Sequence, residues 1–280
     1  MSDTSLEEFE LPCAATALLL PGYSPDLAWM ACALNAGRVI LDDRHPFSRK
    51  SRVHRTKIRT PDGHQWLTIP FVSADRRKPI SEVRIDERRP WLKHHWQALE
   101  FNYRNSLYFD FYEPEIRADL ETAAESEFLL DAVRHLMKRQ WTYLELPWYP
   151  EWKSEHDSET HIADPCSDND TTCSGDSKRD RERSDSTESG NTETEGSESG
   201  RAKTEYTKTG NPVVWQEPNS RNYQKPHPDA VQPVFHIPEY RQHFPGFVPG
   251  CGLLDLLFEY GPDAWQVLDE LSSGEPGKSV

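Results

Sequence analysis

The stretch "RHPFSRKSRVHRTKIR", residues 44–59, gathers seven Lys/Arg and two His with no acid, directly after Asp42-Asp43. Arginines at this density offer planar forks for phosphate or carboxylate groups. An acidic pair beside them offers a base or a metal ligand. The plainer reading is a solvated hairpin whose charges pair with Asp42, Asp43 or the acidic stretch at 153–210. Alternate strand residues face opposite ways, so Arg55, Lys57 and Arg59 share one face. Only some of the seven can therefore converge on one ligand. Arg55 is the expected anion contact, with Lys50 or Arg59 assisting and His54 beside it. Asp43 is the candidate base, with capping of the next turn as its alternative role.

A second candidate lies in "WLKHHWQALEFNY", where Trp91, His95, Leu99 and Tyr103 fall four apart on one helical face. An imidazole titrating near about 6.5 can serve as general base for acyl transfer to a sugar amine. A histidine on such a face can equally be a satisfied core residue. Tyr23, close after Pro21, either lines a pocket or packs. No Gly-x-Gly-x-x-Gly, Walker loop or Gly-x-Ser-x-Gly elbow occurs, which argues against dinucleotide oxidoreductases, P-loop NTPases and serine hydrolases. No metal-ligand spacing stands out, and the sequence identifies no cofactor.

The surrounding chain is acidic, with 47 Asp+Glu against 32 Lys+Arg and a net charge of −15 over 280 residues. That balance argues against a general nucleic-acid binder. The five cysteines (Cys13, Cys32, Cys166, Cys173 and Cys251) form no Cys-x-x-Cys pair. The start "MSDTSLEEFELPC" lacks a basic signal-type opening, and no apolar run is long enough to span a membrane. A cytoplasmic, reduced protein is the expectation.

Hydrophobic content is only 35%, and one segment accounts for much of the deficit. Residues 153–210 carry 15 acidic and 8 basic residues with few apolar ones. Such a stretch buries too little to offset the entropy of ordering, so a disordered acidic insertion is expected there, available to protein partners. The flanks, 1–152 and 211–280, are expected to form one domain, the second packing back on the first.

The elements that must position the candidate residues read as α/β: a small parallel or mixed sheet with flanking helices. "AATALLLP" (14–21) and "RVILDD" (38–43) read as strands around a helix capped by Ser24, with Pro25 at its first position and Gly37 as its stop. "RTKIRT" and "HQWLTIPF" flank a "PDG" turn. "SEVRI" (81–85) reads as a further short strand. Helices are expected over 89–106, near 114–123 and 126–141, and over 252–271 with a break at Gly261-Pro262. The aromatics of 212–250 read as structural cover.

Taken in order, "LLLPGYSPDLAWMACALNAGRVILDDRHPFSRKSRVHRTKIRTPDGHQWLTIPF" resembles the opening of the WbqC-like family. "KPISEVRIDERRPWLKHHWQALEFNYRNSLYFDFYEPE" and "YRQHFPGFVPGCGLLDLLFEYGP" are similar to its branch in Bacteroidetes-type bacteria. The carriers are Pro21, Tyr23, Asp43, Arg55 and the Leu67-Thr68-Ile69-Pro70 strand end. The resemblance implies a role in bacterial surface polysaccharide (O-antigen, lipopolysaccharide) biosynthesis, as a transferase moving glycine or another acyl group onto a sugar. The substrate would be an anionic small molecule such as a nucleotide sugar. A non-catalytic binding or scaffold protein of the same pathway is the alternative. The chain departs from the family pattern at Leu20, where Gln is usual, at His54, where Asn is usual, and near Gly252, where Ser is usual.

Overall fold

A computed structural model describes residues 15–155, 214–216 and 230–272. Most of the expected acidic insertion lies outside the described residues. At the centre is β1 (Thr16–Leu19), paired in parallel with β2 (Arg38–Leu41) on one side and β6 (Val214–Trp215) on the other. Two-residue strands β5 (Glu151–Trp152) and β7 (Ala230–Val231) complete a parallel sheet ordered β5-β2-β1-β6-β7.

Helix α1 (Leu27–Leu34) links β1 to β2, and all eight of its residues are buried. A helix apolar all round needs cover on every side. The α4 helix (Leu129–Tyr143) supplies part of it, with Trp141 meeting Trp29 edge-on at 5.7 Å. The last helix, α6 (Trp265–Ser272), supplies another part, fastened by Asn35 Nδ2 donating to the Leu271 carbonyl at 2.7 Å. The expected Ser24 cap is corrected. Asp26 caps α1, its Oδ1 accepting from Trp29 N at 3.0 Å. Ser24 instead donates to Gln140 Oε1 at 2.7 Å and so ties the β1–α1 turn to α4.

The hairpin pairs β3 (Arg55–Thr60) with β4 (Gly63–Thr68), and its register sets Lys57 opposite Trp66 and Arg55 opposite Thr68. It packs on α2 (Trp91–Tyr103), where the four expected face residues Trp91, His95, Leu99 and Tyr103 are all buried. The segment read as a strand at 81–85 is also corrected. It forms a 3₁₀ turn at Ile80–Glu82 and two isolated bridges, Phe71 to Ile85 and Arg84 to Phe128. Helix α3 (Phe109–Ala124) starts five residues ahead of Pro114, with Phe109 and Tyr112 buried on its core face. Helix α5 (Leu253–Tyr260) ends at Gly261, whose φ of +52° suits a residue without Cβ. Phe258 of α5 packs its ring on Tyr103 and Phe109, so α5 shares one core with α2 and α3.

Candidate functional site

The loop before α5 lies along β3. Gly252 N donates to the Lys57 carbonyl at 3.0 Å, and Gly252 forms an antiparallel bridge with Asp26. A Cβ on Gly252 would stand 2.2 Å from Thr56 Oγ1 and 2.7 Å from Ser24 Oγ. Any side chain at this position, Ser included, would need a shift of the hairpin or the β1–α1 turn. This close approach shapes a cavity of about 450 Å³ between the hairpin, the start of α1 and the 237–251 loop.

Three cations meet in it: Arg52, Arg55 and Lys57, gathered around Trp66. The guanidinium carbon of Arg55 lies 4.3 Å from the indole centroid, Lys57 Nζ 5.5 Å, and that of Arg52 5.8 Å. Arg55 is propped from behind, its Nε donating to the Ser51 carbonyl at 3.3 Å and its Nη2 to the Lys50 carbonyl. Arg52 Nη1 pairs with Asp26 Oδ2 at 2.6 Å and donates to the Gly250 carbonyl at 3.2 Å. Gly250 has φ +78°, and a Cβ there would meet Arg52 Nη2 at 3.2 Å. Burial, then the neighbouring Arg52, lowers the Lys57 ammonium below its ordinary range. Apolar walls come from Ile237, Tyr240 and Phe247. Cys251 also lines the cavity, but burial, aided by Asp255, pushes its thiol up to about 12, so it is no thiolate at neutral pH.

The loop wall is anchored underneath by Asp255, in the first turn of α5 and fully buried. Its Oδ1 accepts from Tyr103 Oη at 2.6 Å, and its Oδ2 accepts from Tyr240 Oη at 2.7 Å and Gln242 Nε2 at 3.0 Å. Gln242 in turn holds both backbone groups of Val248. Burial raises the Asp255 carboxyl against the pull of these three donors.

The candidate residues divide among several places. Arg55 lines the cavity. Arg59 is buried, and its guanidinium donates to the Thr60, Gly63, Pro245 and Gly246 carbonyls. It clips the hairpin tip to the loop. Lys50 does not line the cavity, and its carbonyl accepts from Arg55 Nη2. His54 is buried edge-on between Phe47 and Phe71, and burial lowers its pKa to about 3. Leu20 is buried too, its carbonyl accepting from Trp29 Nε1 at 2.9 Å.

Asp43, two residues past β2, accepts from Ser154 N at 3.2 Å and from the Ser154 hydroxyl, while Asp42 pairs with Lys153 Nζ at 3.2 Å. The acid in the cation-lined cavity is Asp26, not Asp43. Tyr23 is fully buried, with its hydroxyl 3.2 Å from His95 Nδ1. The His95 ring also hydrogen-bonds the Thr68 backbone, and burial brings its pKa down to about 4.

Sequence reasoning passed over Asp26, Arg52, Trp66 and the 237–251 wall as site residues. Trp66 had a signal: hairpin closure at Thr60 and Gly63 puts it opposite Lys57. The wall had none, since it reaches the hairpin from nearly two hundred residues away.

Among described residues, no group of three or more His, Cys, Asp or Glu is placed to hold a metal, and no helix is long and apolar enough to cross a membrane. No solved structure matches the chain. A Mycobacterium tuberculosis protein named "Uncharacterized protein Rv1507c" is 31% identical over 94 residues. That alignment spans 33% of this chain and 40% of the relative. The profile of the WbqC-like protein family matches residues 21–267, across both the hairpin and the loop that closes on it. The chain belongs to the WbqC-like protein family.

Proposed function

We propose that the protein binds an anionic, activated small molecule, such as a nucleotide sugar, in the cavity around Trp66. We place it in surface polysaccharide (O-antigen, lipopolysaccharide) biosynthesis as a transferase-like protein that moves glycine or another acyl group onto a sugar. One observation carries the binding: Arg52, Arg55 and Lys57 converge on the Trp66 indole beside an apolar wall. Guanidinium forks suit phosphate oxygens, and the indole and Phe247 suit a planar base or a sugar ring. Burial lowers the Lys57 pKa, and its ammonium adds a third cationic donor to the same cavity.

A second reading, binding without chemistry, has its own support. Asp26 is locked by Arg52 and by the α1 cap, and Cys251 stays a thiol. Titration calorimetry with a panel of nucleotide sugars tests both readings. At least one should bind, and Arg55→Ala should weaken it ten- to a hundredfold. Binding by none, or equal affinity in the variant, overturns the proposal. Mass spectrometry after adding acyl and aminoacyl donors separates transfer from plain binding.

A further inference from the structure

A second cavity, of about 540 Å³, opens between β4 and the start of α2. Its chemistry contrasts with that of the first, yet Trp66 lines both. Its walls are aromatic: Trp66, Trp91 and Phe71. Its rim carries uncharged hydrogen-bonding side chains, with Gln65, Thr68 and Ser73 exposed around it. Charge is scarce. Arg89 at the edge is largely exposed and lies 3.5 Å from Asp86 Oδ2, a carboxylate that Arg88 holds more closely at 2.8 Å, so solvent screens most of its charge. His95 at the base is uncharged at neutral pH and held between Tyr23 and the Thr68 backbone.

Such a lining favours an anion far less than the first cavity does, because a single solvent-screened arginine at the edge repays little of its desolvation. It disfavours a purely apolar ligand less strongly, but leaves the rim amide and hydroxyls idle. A ring with one C–H face and several hydroxyls uses both. Its C–H bonds sit on the electron-rich face of an indole, and its hydroxyls reach the rim. The volume lies inside the range of small-ligand clefts, about 300–1,000 Å³.

We propose that this second cavity is an acceptor subsite for a neutral, hydroxyl-bearing ring of the pyranoside class, with Trp66 as the wall it shares with the anion in the cation-lined cavity. The acceptor role rests on the function proposed above, whereas the ring-binding itself does not. An anion seated against Arg55 and a pyranoside seated against Trp91 would both touch the same indole, which brings donor and acceptor together without a domain movement.

Saturation-transfer NMR on the full chain tests it, using methyl glycosides of glucose, galactose, rhamnose and N-acetylglucosamine, each with and without UDP. At least one glycoside should receive saturation on its ring C–H protons. His94→Trp and Ser73→Trp, both at exposed lining positions, should cut that signal at least fivefold and leave UDP affinity unchanged. Arg55→Ala should do the reverse. Glycoside binding without UDP binding would sink the donor reading and keep the ring site. UDP binding with no transfer to any glycoside overturns the subsite. So does a glycoside signal that Arg55→Ala abolishes and His94→Trp spares, because the sugar then sits in the first cavity.

Discussion

Arg55 and Arg59 stand four residues apart in one strand, on one face, in one basic stretch, and they do different work. Arg59 is 3% exposed, and its guanidinium donates to four backbone carbonyls. Arg55 lies over Trp66 at the cavity, its Nε and Nη2 donating to the Ser51 and Lys50 carbonyls. Charge count treats them alike. What separates them is which acceptors the 237–251 loop brings within reach. A cation surrounded by carbonyl oxygens is part of the fold, whereas one flanked by other cations over an aromatic ring is a place for an anion.

The comparison depends on the loop being fixed, and Asp255 fixes it. Asp255→Ala should have the largest effect, about 3–5 kcal/mol of stability in urea denaturation, because two buried tyrosine hydroxyls and an amide lose their acceptor. Tyr103 is one of them, and its hydroxyl also accepts from Arg59 N at 2.8 Å, so the Arg59 clip should loosen in the same variant. Asp255→Asn adds a pH test. Burial raises the folded carboxyl above its unfolded value. Its contribution is thus complete below the ordinary carboxylate pKa and is lost as pH rises through the folded value. The stability advantage of wild type over Asp255→Asn should shrink as pH rises. An advantage that grows with pH would contradict the buried, desolvated assignment.

Next in size is Arg59→Ala. Four carbonyls lose a charged donor, and those nearest solvent regain water, so the cost should be about 3 kcal/mol. Ligand affinity per folded molecule should stay within about twofold. A stable variant that binds tenfold more weakly would erase the distinction between the two arginines.

Much of this fold was legible in the sequence, for physical reasons that can be named. The α1 helix, its two strands and the hairpin follow from apolar runs punctuated by Pro and Gly. The buried face of α2 follows from four-residue spacing. Local competition was harder to read. Ser24 and Asp26 are both good caps, and only the Gln140 side chain, over a hundred residues away, takes Ser24 out of contention. "SEVRI" alternates like a strand, but it forms only isolated bridges to Phe71 and Phe128. At the site, Arg55 was legible and its partners were not. Asp26 belongs to α1 and Tyr240 to the loop, and tertiary packing alone joins them to the hairpin.

The histidine beside Arg55 sharpens the contrast further. His54 alternates inward, and among described residues its buried Nδ1 has no hydrogen-bond partner. Burial depresses His54 to about 3 and His95 to about 4. Their contribution is therefore present above an unfolded pKa of about 6.5 and lost as pH falls toward the folded values. Each should give a slope of about 1.4 kcal/mol per pH unit between roughly pH 6 and 4.5. His54→Phe, which keeps a ring between Phe47 and Phe71, should remove one slope and cost little at pH 8. A variant as acid-labile as wild type would show that His54 charges without penalty, and hence that water reaches it.

The smallest effect on stability belongs to Arg55, and it decides the comparison. Arg55→Lys should change stability by no more than about 0.5 kcal/mol, as for substitutions away from buried networks. It keeps the positive charge near Trp66 but loses the planar fork and its stacking on the indole. Anion affinity should fall by about three- to tenfold, between wild type and Arg55→Ala. Arg59→Lys should behave oppositely, losing stability because one ammonium cannot reach carbonyls on both the hairpin tip and the 245–246 loop, while affinity holds. Melting curves and calorimetry on the two lysine variants read both quantities at once. If Arg55→Lys destabilises as much as Arg59→Lys and leaves affinity untouched, Arg55 is a second clip, and the basic stretch serves the fold alone.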